Sequence, residues 1–137
     1  MEKNPTSTLT VVAAALVDSE GRVLLQQRAP GRAMAGLWEF PGGKVEPDER
    51  PGSALVRELD EELGIEVAES RLVPAAFASA DNAGRHMLLL LYICREWRGE
   101  PRALDAAALK WLRPAEMAVA EMPPADVPLV EALGRLV

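Results

Sequence analysis

Residues 43–65 read GKVEPDERPGSALVRELDEELGI, and the fold turns on how this stretch is parsed. Pro47, Asp48, Glu49 and Arg50 make a polar entry, and Pro51 follows where a helix tolerates proline, because the N–H it lacks is one that a first turn leaves unpaired anyway. Leu55, Leu59 and Leu63 then recur every four residues with Val56 beside them, one apolar stripe that has to face a core. Gly64 comes next, the residue type that most readily takes the left-handed stop of a helix. The spacing therefore predicts a helix from Pro51 to about Leu63. Its other faces carry Glu58, Glu61 and Glu62 at i, i+3 and i+4, so their carboxylates project from neighbouring turns, close enough to interact.

Upstream, residues 10–17 form an apolar, β-branched-leaning run, residues 18–21 a polar turn and residues 23–27 a second run, which reads as a β-hairpin. Residues 29–36 contain Pro30, Gly31, Arg32 and Gly36 and are expected to form an irregular loop into the short stretch 37–40, before Pro41, Gly42 and Gly43 break the chain. Downstream, residues 72–78 and 87–94 read as strands, the first weakened by Pro74, with Asp81, Asn82 and Gly84 supplying turn chemistry between them. Residues 108–112 read as a short strand, and 123–128 as a rigid proline-rich loop leading into an amphipathic helix over 129–136. Strands split around one helix, with a second at the end, favour an α/β fold in which a mixed β-sheet is sandwiched between α-helices.

The 137 residues suit a single domain over 1–137, and 49% of them are hydrophobic, enough for a core of its own. The net charge is −6, and its distribution matters more than its value. Between residues 43 and 66 there are eight acids against three bases, so nearly all of the excess is local. No broad basic face for nucleic acid is expected, and a polyphosphate would be repelled here unless cations intervened. The apolar runs 9–17 and 87–94 fall short of the roughly 20 residues that span a bilayer. Residues 1–10 lack an export pattern, so a cytoplasmic location is expected. Cys94 alone excludes an internal disulfide and reads as a buried small hydrophobe, while His86, the one histidine, reads as a partly buried structural imidazole.

Hard carboxylate oxygens clustered as Glu58, Glu61 and Glu62 are suit ligands for Mg²⁺, with Mn²⁺ as the alternative. Such an ion supplies the missing positive charge, polarises a phosphoryl oxygen and lowers the pKa of a bound water. The competing reading is a solvated acidic face, but that face needs neither Arg57 beside it, nor Glu49 before it, nor the glycine break ahead of it. A calcium loop of the EF-hand type is set aside because these carboxylates lie on a helix. The chemistry indicated is metal-assisted hydrolysis of a phosphoanhydride.

Gly43, Glu49 and the run from Arg57 through Glu58, Leu59, Asp60, Glu61, Glu62, Leu63 and Gly64 to Ile65 match the Nudix box at every fixed position. The chain also resembles the MutT branch of nucleotide-pool sanitising pyrophosphohydrolases in residues 37–44, in Arg85 and His86, in residues 97–101 and in residues 123–125. The resemblance implies an α/β/α sandwich and water attack on the β-phosphorus of a nucleoside triphosphate, giving a monophosphate and pyrophosphate. It implies Glu58, Glu62 and the Gly42 carbonyl as metal ligands, Glu61 binding directly or through water, and Arg57 orienting a carboxylate with Glu49 as its partner. Arg28 matches the position that reaches substrate phosphate. Glu39, Phe40, Pro41 and Gly42 would line the nucleotide with Phe40 near the base, and Arg85 belongs to the same substrate set. Trp38, Trp97 and Trp111 are read as packing residues.

Three positions differ from the MutT pattern. Asp126 stands where that branch has an Asn that reads oxidised guanine; Asp105 stands where it has a further Glu serving as metal ligand or base; Ala33 replaces a His that contacts nucleotide. An ionised carboxylate only accepts hydrogen bonds whereas an amide does both, so Asp126 also suits the amino group of cytosine. The leading expectation is a Mg²⁺-dependent 8-oxo-dGTP diphosphatase acting in mutation avoidance. A CTP or 5-methyl-dCTP pyrophosphohydrolase is the alternative, and a non-catalytic nucleotide-binding module of the same fold is the reading from another class. The partner expected is a small nucleotide, without nucleic acid or membrane, acting on a monomer, with a dimer as the alternative state.

Overall fold

A computed structural model of the chain describes residues 7–82 and 84–137, the side chain of Asn82 excepted. Residues 1–6, part of the segment read for export, and the side chain of Asn82, read for turn chemistry, lie outside the described residues. Among the described residues seven strands and two α-helices follow one another: β1 (Thr8–Leu16), β2 (Val23–Gln27), β3 (Trp38–Glu39), β4 (Gly42–Lys44), α1 (Pro51–Leu63), β5 (Val73–Asn82), β6 (Arg85–Cys94), β7 (Ala108–Leu112) and α2 (Val127–Leu136). They form a mixed four-stranded sheet, β4-β1-β6-β5, and a three-stranded antiparallel sheet, β3-β2-β7.

The alternation of β1 explains the layering. Val12, Ala14 and Leu16 face one side and join Leu55, Leu59 and Leu63 of α1, while Ala13, Ala15 and Val17 face the other and join Leu129, Val130 and Leu133 of α2. Successive side chains of a strand point to opposite faces, so a strand buried on both sides reads as a continuous apolar run. The three leucines of α1 are wholly buried, each contributing roughly 1.5–3 kcal/mol of transfer energy. The mixed sheet thus lies between two helices, the α/β/α arrangement expected.

The expected hairpin over residues 10–27 does not form as a ladder. β1 and β2 meet only at the bridge between Val17 and Val23, then diverge into different sheets. β1 instead runs parallel to β6 from Thr8 opposite His86 to Leu16 opposite Cys94. Both faces of β1 and of β2 carry apolar residues, and period-2 reading cannot say which edge of such strands pairs with which. The strand at residues 73–82 runs further than expected and absorbs Pro74 in a bulge between Pro74 and Ala76. Helix α1 ends as expected, on Gly64 with φ of 69° and its N–H donating to the Asp60 carbonyl. Trp97 and Trp111 stack with ring centroids 6.1 Å apart, and Lys110 lies 4.1 Å over the Trp38 ring. Among the described residues no helix is long and apolar enough to cross a membrane.

Candidate active site

Strand alternation puts a polar side chain where the core should continue. Leu24 faces α1, so Gln26, two residues on, faces it too and is only 5% exposed. It meets Glu62, which sits among the leucines of α1 at 8% exposure. Gln26 Nε2 donates to Glu62 Oε1 at 2.6 Å, and the Gly42 N–H reaches the same oxygen at 3.4 Å. Burial, reinforced by a hydrogen bond with Glu58, pushes the Glu62 carboxyl up to about 9 despite those two donors. Burial thus favours the neutral form of Glu62 beside Glu58.

The two glycines that break the chain are there for space. A Cβ on Gly43 would lie 2.5 Å from the Glu58 carboxyl carbon, and one on Gly42 would run into the Val12 carbonyl. Pairing of β4 with β1, Ala13 opposite Gly42, holds this backbone against the helix. Arg57 then organises the outer acids. Its Nε and Nη2 grip the two Glu49 oxygens at 2.8 and 2.9 Å, and its Nη1 reaches Glu58 at 2.8 Å and Glu61 at 3.1 Å. The bidentate contact holds Glu49 near 2, well below the ordinary carboxylate range. It also raises the Arg57 guanidinium further, so this cation is permanent.

These groups suit a divalent cation with oxygen ligands. Two carboxyl groups in hydrogen-bonding contact, the buried one with its pKa pushed upward, are a pair whose charge a cation would offset. The space left by Gly43 receives the Glu58 carboxylate, and the buried Gln26 Oε1, which has no hydrogen-bond partner among the described residues, adds a neutral oxygen at the edge. Among the described residues no three His, Cys, Asp or Glu side chains stand together as a ready ligand set. Glu61 is the one turned away: its carboxylate is about half exposed and bound to Arg57. Asp105, expected with the metal ligands, is paired here with Arg32 at 2.7 Å. It lies on the loop before β7, which the sequence places far from α1 and which the fold turns toward Arg28 and Glu39.

The other end of the site is assembled from distant segments. Arg28, just past β2, donates through Nε to the Ala33 carbonyl at 2.7 Å and pairs with Glu39 at 2.8 Å. Burial raises the Glu39 carboxyl, with Arg28 opposing. Phe40 contributes its backbone, not its ring: the ring is buried in the α2-side core, while the N–H donates to Asp126 Oδ2 at 3.3 Å. The Pro41 carbonyl accepts from the Ala14 N–H at 2.9 Å, fixing the strand that leads to Gly42. Asp126 is 7% exposed, and burial together with the Glu39 charge pushes its carboxyl up to about 7. Arg85 stands apart at the start of β6, where it reaches Ser7 Oγ at 3.5 Å. His86, read as partly buried, is exposed and paired with Ser79 Oγ at 3.1 Å. Gln26 went unnoticed in the sequence, although a polar residue closing the apolar run of β2 was its signal.

A family model described as NUDIX domain matches residues 7–133. The chain is 44% identical over 125 residues to a CTP pyrophosphohydrolase of Escherichia coli K12, covering 91% of each protein. It is 30% identical over 128 residues to an 8-oxo-dGTP diphosphatase of the same organism, covering 93% of this chain and 98% of that protein. The solution structure of the E. coli ORF135 protein superimposes with a TM-score of 0.83 at 41% identity, covering 96% of this chain and 91% of the other. With the acidic helix, the double glycine and the Arg57 clamp in place, the chain belongs to the Nudix hydrolases.

Proposed function

We propose that the chain, working as a single cytoplasmic domain, is a Mg²⁺-dependent nucleoside triphosphate pyrophosphohydrolase whose base pocket takes a cytosine nucleotide. 8-oxo-dGTP is the second substrate reading. The observation that carries the base assignment is Asp126, a buried carboxyl held by the Phe40 N–H at 3.3 Å. One of its oxygens is committed to the backbone, and in the ionised form the group accepts a hydrogen bond, as the amino group of cytosine requires. The 44% identity to a CTP pyrophosphohydrolase supports this order. An oxidised purine presents both an N–H and a carbonyl, so Asp126 suits it only while protonated. Its elevated pKa keeps that second reading alive near neutrality.

Glu58, Glu62 and the Gly42 carbonyl are assigned to the metal, with Glu61 reaching it directly or through water. Held there, a divalent cation would neutralise polyphosphate charge and lower the pKa of an attacking water. Arg57 keeps the Glu58 carboxylate aimed and Glu49 keeps Arg57 aimed. Arg28, fixed by Glu39 and the Ala33 carbonyl, presents its charge to phosphate. Hydrolysis adds the elements of water across one phosphoanhydride bond and releases a nucleoside monophosphate and pyrophosphate. The test is pyrophosphate release with Mg²⁺ from CTP, 5-methyl-dCTP, dGTP and 8-oxo-dGTP, ranked by kcat/KM. A cytosine nucleotide is expected to lead. A large lead for 8-oxo-dGTP reverses the base assignment, and no turnover of any of them removes the reading.

A further inference from the structure

Arg32 belongs to neither the acidic box nor the substrate residues assigned above, yet it lies at the same pocket. The base of its loop is closed by two backbone bonds, Arg28 N–H to the Leu37 carbonyl and Gly36 N–H to the Arg28 carbonyl, both 2.9 Å. Gln27 ties it further through Nε2 to the Gly36 carbonyl at 3.1 Å. From this frame Arg32 reaches across 73 residues of sequence to Asp105 at 2.7 Å. Arg28, Arg32, Glu39, Asp105 and Gln26 line one small pocket of about 30 Å³. Gln26 is the residue that hydrogen-bonds Glu62, so the pocket and the carboxylate pair share a wall.

The two arginines of the pocket differ in what holds them. Arg28 is fixed by a carbonyl and a half-buried carboxylate, whereas Arg32 and Asp105 are about half exposed, at 55% and 49%. An ion pair that exposed is worth little to stability, about 0.2–1 kcal/mol. Its four charged groups, two arginines against Glu39 and Asp105, cancel. A polyphosphate carries several anionic oxygens and outcompetes one exposed carboxylate for a guanidinium.

We infer that Arg32 is a phosphate-binding residue of this site, held in reserve by Asp105, which it leaves when polyphosphate enters. This rests on the pyrophosphohydrolase reading for its biological meaning, but the binding itself is separable from turnover. Titration of inorganic tripolyphosphate in the presence of Mg²⁺, followed by calorimetry, compares the wild type with Arg32→Ala, Asp105→Asn and the double variant. Arg32→Ala is expected to weaken binding roughly tenfold, and Asp105→Asn to tighten it about two- to fivefold, the range set by the exposed pair. In the double variant the second change should have no effect beyond Arg32→Ala.

Unchanged affinity in Arg32→Ala, or no binding of tripolyphosphate by the wild type, overturns the inference. So does a kcat reduced more than about a hundredfold in Asp105→Asn, because that is the mark of a lost metal ligand rather than a released arginine. If nucleotides are hydrolysed normally while Arg32→Ala binds tripolyphosphate as the wild type does, this inference alone fails. If tripolyphosphate binding follows the predicted pattern and no nucleotide is turned over, the functional reading fails and Arg32 stands.

Discussion

Two buried carboxyl groups, Glu62 and Asp126, sit at opposite ends of the site and are both pushed upward, to about 9 and about 7, with burial as the main cause of each. Their neighbours separate them. Glu62 shares a hydrogen bond with another carboxyl, Glu58, and its remaining contacts are the neutral donors Gln26 and Gly42. Asp126 feels the charge of Glu39, tempered by Arg28, and takes one backbone N–H. A pair of acids in contact suits a cation; a single acid poised near neutrality suits a hydrogen-bond partner whose polarity can be read. Under the proposed reading, carboxyls with similar burial would serve metal at one end and a base at the other.

The largest break in that comparison is Glu62→Gln. It keeps the size and the hydrogen bond from Gln26 but removes a ligand charge, so kcat is expected to drop at least a thousandfold. The fold should survive, because Glu62 is already neutral at pH 7 in the metal-free protein. Mg²⁺ bound only by the folded state should raise Tm, and that rise should vanish in the variant. The pairing of lost turnover with an unchanged metal-free Tm is the result to look for, and turnover retained within tenfold would break the metal assignment.

A smaller effect is expected one step out. Arg57 holds Glu58, Glu61 and Glu49 together through contacts of 2.8–3.1 Å. It touches no substrate in this reading, and residues that orient ligands typically cost 10–100-fold when removed. Arg57→Leu should lower activity by that amount and raise the Mg²⁺ concentration needed for half-maximal rate. Arg57→Lys should recover little, since a point charge cannot grip both Glu49 oxygens. Loss in rate with no change in metal requirement would show that Arg57 does not act through the metal site.

The difference between the two ends also explains what could be read beforehand. The Arg57 clamp joins residues one to eight apart, and the leucine stripe, the acidic face and the Gly64 stop all follow from the periodicity of one helix. The base end depends on contacts across 86 residues between Phe40 and Asp126, and across 73 between Arg32 and Asp105. No local pattern specifies those. Asp105 is tied to metal only by resemblance, and its contact with Arg32 is visible only in the fold. The hairpin reading of β1 and β2 failed for a related reason: both strands are apolar on two faces, so pairing was decided by β6 and β7. Gln26 is intermediate, since strand alternation marks its face but not the acid it meets.

The smallest expected effect is the sharpest test of the base end. The Asp126 carboxyl is raised in the fold from 3.8 to about 7, so between those values the folded state holds a proton that the unfolded chain has lost. Stability should therefore decline as pH rises from about 4 through about 7 and level off above it, a loss on the order of a few kcal/mol at most. Asp126→Asn removes this ionisation. Its Tm should lie near that of the wild type below pH 4 and exceed it increasingly up to pH 8, if the carboxyl titrates as its burial and Glu39 dictate. Selectivity should move on the same axis. Below pH 7 a protonated Asp126 can donate to a purine carbonyl, and above it the carboxylate can only accept, as the cytosine amino group requires. The ratio of kcat/KM for CTP to that for 8-oxo-dGTP should rise several-fold from pH 6 to pH 8 in the wild type and stay flat in Asp126→Asn. Equal slopes in both proteins would mean that the base is read by some other group, leaving Asp126 as a structural acid tied to Phe40.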